Sequence, residues 1–194
     1  CATLTFDTAR RSMMGITPAD YAQFAAEIGL DIAGSNCGVG PAELMDSTQG
    51  LMAAGIEIPV VAKGNCGIPQ YVDGAIHFHG SPELMAQYAL HARDAGATII
   101  GGCCGTTPGH TAAMVNALDS TPQRALDTEA MTAALGTPWA ALAESEAIAG
   151  VERRPGAPSQ TLAASIVKKD PLRLNRDTRS LHKGATISIM RLRS

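Results

Sequence analysis

The chain has 194 residues, enough for one domain with a sizeable core, and its 45% hydrophobic and 17% charged residues are typical of a globular protein. No apolar run reaches the roughly 18 residues of a membrane-spanning helix, so we do not expect a membrane protein. Residues 1–152 hold 5 Lys and Arg against 16 Asp and Glu, whereas residues 153–194 hold 10 against 2, and such a break indicates a change of structural regime.

Four short apolar segments in the first 118 residues have the composition of buried β-strands. Each is rich in β-branched or small apolar residues and is too short for a free-standing helix. The predicted strands are residues 2–6, 31–34, 58–62 and 97–101.

A helix is predicted after each strand, because each following segment begins with a proline in the first helical position. The four prolines are Pro18, Pro41, Pro82 and Pro108. Glycines follow the first three helices, and the fourth extends to about Leu118. Four successive strand–helix units predict an α/β fold with a parallel sheet, at a spacing that suits the units of a barrel.

The remaining segments lack this regularity. The third unit contains an excursion over residues 70–80, with room for a loop at residues 71–79. Residues 119–152 are predicted to form peripheral helices at 130–135 and 139–149. Residues 153–194 read as a linker followed by a basic, disordered tail. An arm that binds nucleic acid or an anionic surface is the alternative for this tail, and the lack of aromatic residues disfavours it.

The chain contains five cysteines, an odd number that includes the neighbours Cys103 and Cys104. This pattern argues against a disulfide framework and favours metal binding or catalysis in the reducing cytoplasm. Cys37 follows the second predicted strand, and the pair follows the fourth. Loops after parallel strands open onto one face, so the three thiols can meet if Gly101, Gly102 and Gly105 let the backbone turn sharply. Three thiolates predict zinc with an open fourth position, suited to activating a substrate thiol.

Two segments also carry a family resemblance. The segments Asn36-Cys-Gly-Val-Gly-Pro41 and Gly101-Gly-Cys-Cys-Gly-Thr-Thr-Pro108 resemble the two zinc motifs of homocysteine S-methyltransferase domains. Phe6-Asp-Thr8, followed by Arg11-Ser-Met-Met-Gly15, is similar to the fifth-strand region of bacterial members. The resemblance covers residues 1–118. It implies the C-terminal half of a (β/α)8 TIM barrel, in which Zn²⁺ held by Cys37, Cys103 and Cys104 promotes methyl transfer to homocysteine, giving methionine.

Substrate contacts are predicted for two residues near these motifs. Asn36 precedes the first zinc-ligand candidate, and Asp7 ends the first predicted strand on the same face. Both are candidates for binding polar groups of homocysteine, and the alternatives are that Asn36 holds its own tight turn and that Asp7 orders the loop. Asn65 is either a substrate-binding residue or a residue that holds its own tight turn.

The other candidate ligands are interpreted as structural. Cys66 imitates the Cys37 motif, but the family more often has a small apolar residue there, so we predict that it does not bind metal. His77 and His79 have no third ligand nearby in sequence and are predicted to face solvent or lie in a turn. His110 is predicted to be a capping or surface residue.

The resemblance leaves several alternatives open. Because the chain starts with Cys1 and offers four strands, we expect the natural start and the first half of the barrel to be missing. The partner would then be that missing half or a second copy of this chain. The alternative function is a non-catalytic zinc-binding half-barrel. Betaine, S-methylmethionine and a methylated cobalamin or folate all remain candidates as methyl donor.

Overall fold

In the computed structural model, which describes residues 1–7, 9–141 and 190–191, strands and helices alternate along most of the chain. The strands are β1 Ala2–Leu4, β2 Ala33–Cys37, β3 Val60–Gly64, β4 Pro69–Val72, β5 Ala75–Phe78, β6 Ile99–Gly102 and β7 Met190–Arg191. The helices are α1 Pro18–Glu27, α2 Pro41–Ala53, α3 Pro82–Asp94, α4 Pro108–Ser120 and α5 Thr128–Leu135. None of the helices in these ranges has the length and apolar character needed to cross a membrane.

Four parallel strands form the central sheet in the order β1, β2, β3, β6, and the two-residue β7 pairs antiparallel with β6 at the edge. Cys37 at the end of β2 lies opposite Gly64 of β3, which lies opposite Gly102 of β6. This register brings the carboxyl ends of three strands together at one edge of the sheet. The prediction of an α/β fold built from parallel β/α units is confirmed.

The second and third strands end later than predicted. They were expected over residues 31–34 and 58–62, yet β2 continues to Cys37 and β3 to Gly64. The apolar criterion missed these last residues because they are polar or glycine, whereas strand pairing depends on the backbone and continues through them. Cys37 is therefore the last residue of a strand rather than part of the loop after it.

The four predicted helix starts are confirmed, with each proline in the first turn. At α1, the Thr17 hydroxyl accepts a hydrogen bond from the Asp20 amide at 3.1 Å, and the Asp20 carboxylate accepts one from the Thr17 amide at 3.0 Å. The helix predicted at 130–135 is also confirmed, as α5. Most of residues 139–149 and of the predicted linker and tail lies outside the described residues.

The predicted loop at residues 71–79 is wrong, since most of this segment belongs to the antiparallel hairpin of β4 and β5. Asp73 and Gly74 form its two-residue turn, with φ angles of 50° and 83°. Two successive positive φ values are what a tight hairpin turn of this twist requires, and Asp-Gly is a favoured pair for it. The dipeptide between two apolar pairs was thus the signal that the sequence offered.

Two apolar clusters attach the helices to the sheet. The first packs side chains of α2, α3 and α4 against β3 and β6, and the second packs α1 and α2 against β1 to β3. Fully burying one large side chain contributes roughly 1.5–3 kcal/mol. The largest fully buried side chain, Tyr88 of α3, also has a polar role, because its hydroxyl accepts a hydrogen bond from the Gly64 amide at 3.1 Å. Burial raises the pKa of Tyr88, so this anchor at the end of β3 stays protonated.

Candidate metal centre

Three cysteine thiols converge at the carboxyl edge of the sheet. The sulfurs of Cys37, Cys103 and Cys104 all lie within 4.8 Å of one another. Cys37 Sγ is 2.6 Å from Cys103 Sγ, and Cys103 Sγ is 3.9 Å from Cys104 Sγ. Among the described residues, this is the one group of three or more His, Cys, Asp or Glu side chains placed to share a metal ion. The structure therefore brings together the three residues predicted as ligands.

Cys37 reaches the cluster through an unusual backbone conformation. Its φ angle is +58°, in the left-handed region that costs a non-glycine residue roughly 1–2 kcal/mol. Gly38 follows with φ +76°, so the chain leaves β2 abruptly before α2 begins at Pro41. Backbone strain of this kind is concentrated at functional sites, where the surrounding structure holds it in place.

Cys103 and Cys104 share the site because the chain turns immediately after β6. The Cys103 amide donates a hydrogen bond to the Gly64 carbonyl at 2.7 Å, which fixes this residue to the end of β3. The Thr106 amide donates to the Cys103 carbonyl at 3.3 Å and closes a turn in which Gly105 has φ +77°. Two neighbouring side chains would point to opposite faces of a continuing strand. The predicted sharp turn is confirmed, with Gly105 supplying the positive φ.

Asn65 joins the two cysteine segments. Its side-chain amide donates a hydrogen bond to the Gly38 carbonyl at 2.5 Å, and its side-chain oxygen accepts one from the Cys104 amide at 3.1 Å. The side chain is 4% exposed, so both hydrogen bonds are shielded from water. Sequence reasoning considered turn formation or substrate binding for Asn65 and missed this bridge. The partners lie 27 and 39 residues away and are not readable from local pattern.

Replacing Asn65 by alanine is expected to weaken zinc binding about 10- to 100-fold, the range typical for loss of a group that orients metal ligands. The variant leaves the Gly38 carbonyl and the Cys104 amide without their partner, so the two cysteine segments lose their common support. A competition titration against a chromophoric zinc chelator would measure the change. Asn116→Ala is the matched control, because Asn116 is exposed on α4, and its zinc affinity should equal that of the wild type.

Burial and the closeness of the thiols keep the cluster neutral when no cation is bound. Burial, followed by the neighbouring thiols of Cys37 and Cys104, raises the pKa of Cys103 to about 12. Burial also raises the pKa of Cys104. Packing several thiolates together without a counter-ion is unfavourable, so these two groups are protonated at neutral pH in the metal-free protein. A divalent cation would reverse this preference.

Cys66 lies near this site and makes different contacts. It is 1% exposed, and its sulfur is 3.0 Å from both the Gly80 carbonyl and His110 Nε2. Among the described residues it does not belong to the group of potential metal ligands, and its non-ligand role stays a prediction. His110 Nδ1 accepts a hydrogen bond from the Thr107 amide at 3.1 Å, so the predicted capping role of His110 at α4 is confirmed.

The remaining predicted residues are more dispersed. Asn36 lines a small depression together with Cys37 and the buried carboxyl group of Glu43, whose pKa is raised by burial. Asp7 lies just beyond β1 and is exposed. The substrate-binding roles of Asn36 and Asp7 stay predictions.

His77 and His79 occupy the exposed hairpin region, as the sequence predicted. Their rings stack with centroids 6.1 Å apart. Within the described part of the chain they belong to no group of three potential ligands. The hairpin therefore offers no metal site comparable to the cysteine cluster.

The cysteine cluster fits zinc by its chemistry. Three sulfur donors favour a soft or borderline ion, and zinc accepts tetrahedral sulfur ligation with bond lengths near 2.3 Å. Thiols gathered within 4.8 Å can move to those distances through small side-chain rotations. A site with three protein ligands also has the composition of catalytic rather than structural zinc centres.

Comparison with known protein families shows which family the chain belongs to. Residues 1–118 match the family model for homocysteine S-methyltransferase. The chain belongs to this family. The matched segment contains the three clustered cysteines and Asn65, so the site described above lies wholly inside the homocysteine S-methyltransferase region.

Several homocysteine S-methyltransferase relatives and related enzymes align with the chain. The methionine synthase of Mycobacterium tuberculosis is 30% identical over 110 residues, covering 56% of this chain and 9% of the relative. The methionine synthase of Mycobacterium leprae is 34% identical over 84 residues, covering 43% and 7%. Betaine–homocysteine S-methyltransferase 1 of Xenopus tropicalis is 29% identical over 120 residues, covering 54% and 30%. The chain thus spans less than a third of each of these relatives.

Proposed function

We propose that this chain provides a zinc-thiolate site at which the thiol of homocysteine accepts a methyl group, giving methionine. The observation that carries the proposal is the convergence of three cysteine sulfurs within 4.8 Å in a homocysteine S-methyltransferase domain. Cys37, Cys103 and Cys104 would hold the ion. Zinc bound in this way would keep a substrate thiol in its nucleophilic thiolate form at neutral pH.

The protein's own residues would bind and orient the reactants. The two turns after β2 and β6 present the three cysteines to one point, and Asn65 keeps these turns together. Asn36 and Asp7 are the proposed contacts to the polar groups of homocysteine. Methyl transfer forms a bond between the homocysteine sulfur and the methyl carbon and breaks the bond from that carbon to the donor. The thiol proton is released to solvent when the substrate binds.

The architecture completes the proposal. The four parallel β/α units would form the C-terminal half of a (β/α)8 TIM barrel, with residues 119–152 packed at its periphery. Residues 153–194 would follow as a basic segment, of which Met190–Arg191 pair with β6. The loops that follow the strands would then line the mouth of the barrel, where active sites of this fold are built. A cytoplasmic location would suit five free thiols.

Zinc-edge X-ray absorption of the zinc-loaded full chain tests this function. Addition of homocysteine is expected to raise the number of sulfur ligands from three to four. Homoserine, which has a hydroxyl in place of the thiol, is the matched control and should leave the sulfur count unchanged. An unchanged count with homocysteine would reject the proposal and favour a non-catalytic zinc-binding half-barrel. If the sulfur count rises to four, transfer assays with betaine, S-methylmethionine and methylcobalamin would identify the methyl donor.

A further inference from the structure

Lys63 is the only lysine among residues 1–152, and it lies in β3 one residue before the edge that carries the cysteine cluster. We propose that the Lys63 ammonium binds the carboxylate of the amino-acid thiol whose sulfur enters the cluster of Cys37, Cys103 and Cys104. This inference rests on the proposed function and adds to it a group that selects the substrate class.

The direction of the Lys63 side chain follows from its neighbours in the strand. Ala62 belongs to the core cluster beneath the helices. A Cβ atom built on Gly64 would lie 3.4 Å from Leu44 Cδ2 and from Tyr88 Cζ, so position 64 also faces the helices. Successive residues of a strand point to opposite faces. Lys63 therefore projects from the other face of the sheet, away from the helical core.

Lys63 has little competition for space on that face. It lies opposite Asn36 of β2 and Gly101 of β6, and residues paired across parallel strands share a face. Because Gly101 has no side chain, the surface beside Lys63 is open on the side of β6. Asn36 is followed directly by Cys37, and Gly101 precedes Cys103 by two residues. The cation is thus flanked by both segments that supply the thiols.

The charge of Lys63 is also uncompensated within the described ranges, where its ammonium has no hydrogen bond or ion pair. Two other cations of the domain are engaged elsewhere. Arg10 pairs with Asp46 at 2.8 Å, and the buried Arg93 pairs with Asp94 at 2.9 Å. Burying an ammonium costs free energy, and an anionic partner offsets this cost through a charge-assisted hydrogen bond. Homocysteine has its carboxylate a short carbon chain away from its sulfur, so one molecule can reach both groups.

The discriminating experiment compares two thiols on the zinc-loaded full chain by isothermal titration calorimetry. L-homocysteine has the carboxylate, and 3-aminopropane-1-thiol is the same molecule without it. We expect the wild type to bind homocysteine roughly 10- to 100-fold more tightly, the range of a charge-assisted hydrogen bond. Lys63→Met should remove this preference, because it should lower the affinity for homocysteine and leave the affinity for 3-aminopropane-1-thiol unchanged. Lys63→Arg should retain part of it, and the exposed-residue control Arg124→Met should retain all of it.

The outcomes separate this inference from the function on which it rests. If the wild type binds both thiols and Lys63→Met keeps the full preference for homocysteine, the assignment of Lys63 is wrong while thiol binding stands. If Lys63→Met lowers the affinity for both thiols equally, Lys63 has a structural role, and the proposal is overturned as well. If the wild type binds neither thiol, the proposed function itself fails, and the role of Lys63 fails with it.

Discussion

Replacing Cys103 by serine is expected to reduce the zinc affinity of the full chain at least about a hundredfold. A structural zinc site with four protein ligands contributes about 10–16 kcal/mol, or about 3 kcal/mol per ligand, and we expect a loss of that size when one of the three cysteines is replaced. Serine has nearly the same size as cysteine, but its hydroxyl does not ionise at neutral pH. Metal content per chain and competition against a chromophoric chelator would measure the loss. Cys37→Ser and Cys104→Ser should behave alike.

Two other cysteines of the same chain provide the controls. Cys1→Ser changes an exposed free thiol, and Cys66→Ala changes a buried thiol that lies outside the cluster. Both variants should retain one zinc ion per chain with wild-type affinity. Circular dichroism should show that all the variants keep the same helix content. Full zinc retention by Cys103→Ser, or an equal loss in Cys66→Ala, would contradict the assignment of the three ligands.

The helices were predictable because their signals are local. A capping residue followed by proline satisfies or removes amide groups that have no partner at a helix start, and this chemistry depends on a few adjacent residues. The four prolines at positions 18, 41, 82 and 108 therefore located α1 to α4 correctly. The alternation of strands and helices then predicted a parallel sheet. After each strand the helix carries the chain back across the sheet, so the next strand starts at the same edge and runs in the same direction.

The strand ends were less predictable because pairing between strands is not local. Asn36 and Cys37 continue β2 only because Lys63 and Gly64 continue β3 beside them. Neither pair has the apolar, β-branched composition by which the sequence identified the strands. The Asp73-Gly74 hairpin turn was different, since its signal is local and was overlooked.

The same distinction applies to the site. The three clustered cysteines were predictable because the ends of parallel strands meet at one edge of the sheet. Cys37 and Cys103 could therefore be predicted to lie together although 66 residues separate them in sequence. Asn65 and Lys63 could not be assigned in this way. The role of Asn65 depends on which carbonyl and amide face its side chain. That of Lys63 depends on the register that places it between Asn36 and Gly101.

Zinc affinity is also expected to rise by at least about a hundredfold per pH unit between about pH 6 and 8, since at least the two thiols of Cys103 and Cys104 must lose a proton. Burial and the adjacent thiols raise the pKa of Cys103 to about 12, and burial raises that of Cys104. Both groups are therefore protonated in the metal-free chain and must release their protons to bind zinc as thiolates. Each released proton contributes a tenfold change in affinity per pH unit. Calorimetric titrations in two buffers of different ionisation enthalpy would count the protons released.

The free energy of unfolding of the metal-free chain should fall as the pH rises, whereas the zinc affinity rises. The pKa of Cys103 is raised in the folded state from its ordinary value of 9.0 to about 12, so the fold binds this proton more tightly than the unfolded chain does. The resulting stabilisation is complete below pH 9 and is lost as the pH rises towards 12. The denaturation midpoint of the metal-free chain should fall over that interval, and less so in Cys103→Ser.

The two pH predictions share one premise, that zinc binds through thiolates which are protonated in the metal-free chain. A zinc affinity that does not change with pH, in a titration that releases no protons, would show that the cluster does not bind the ion through these thiolates.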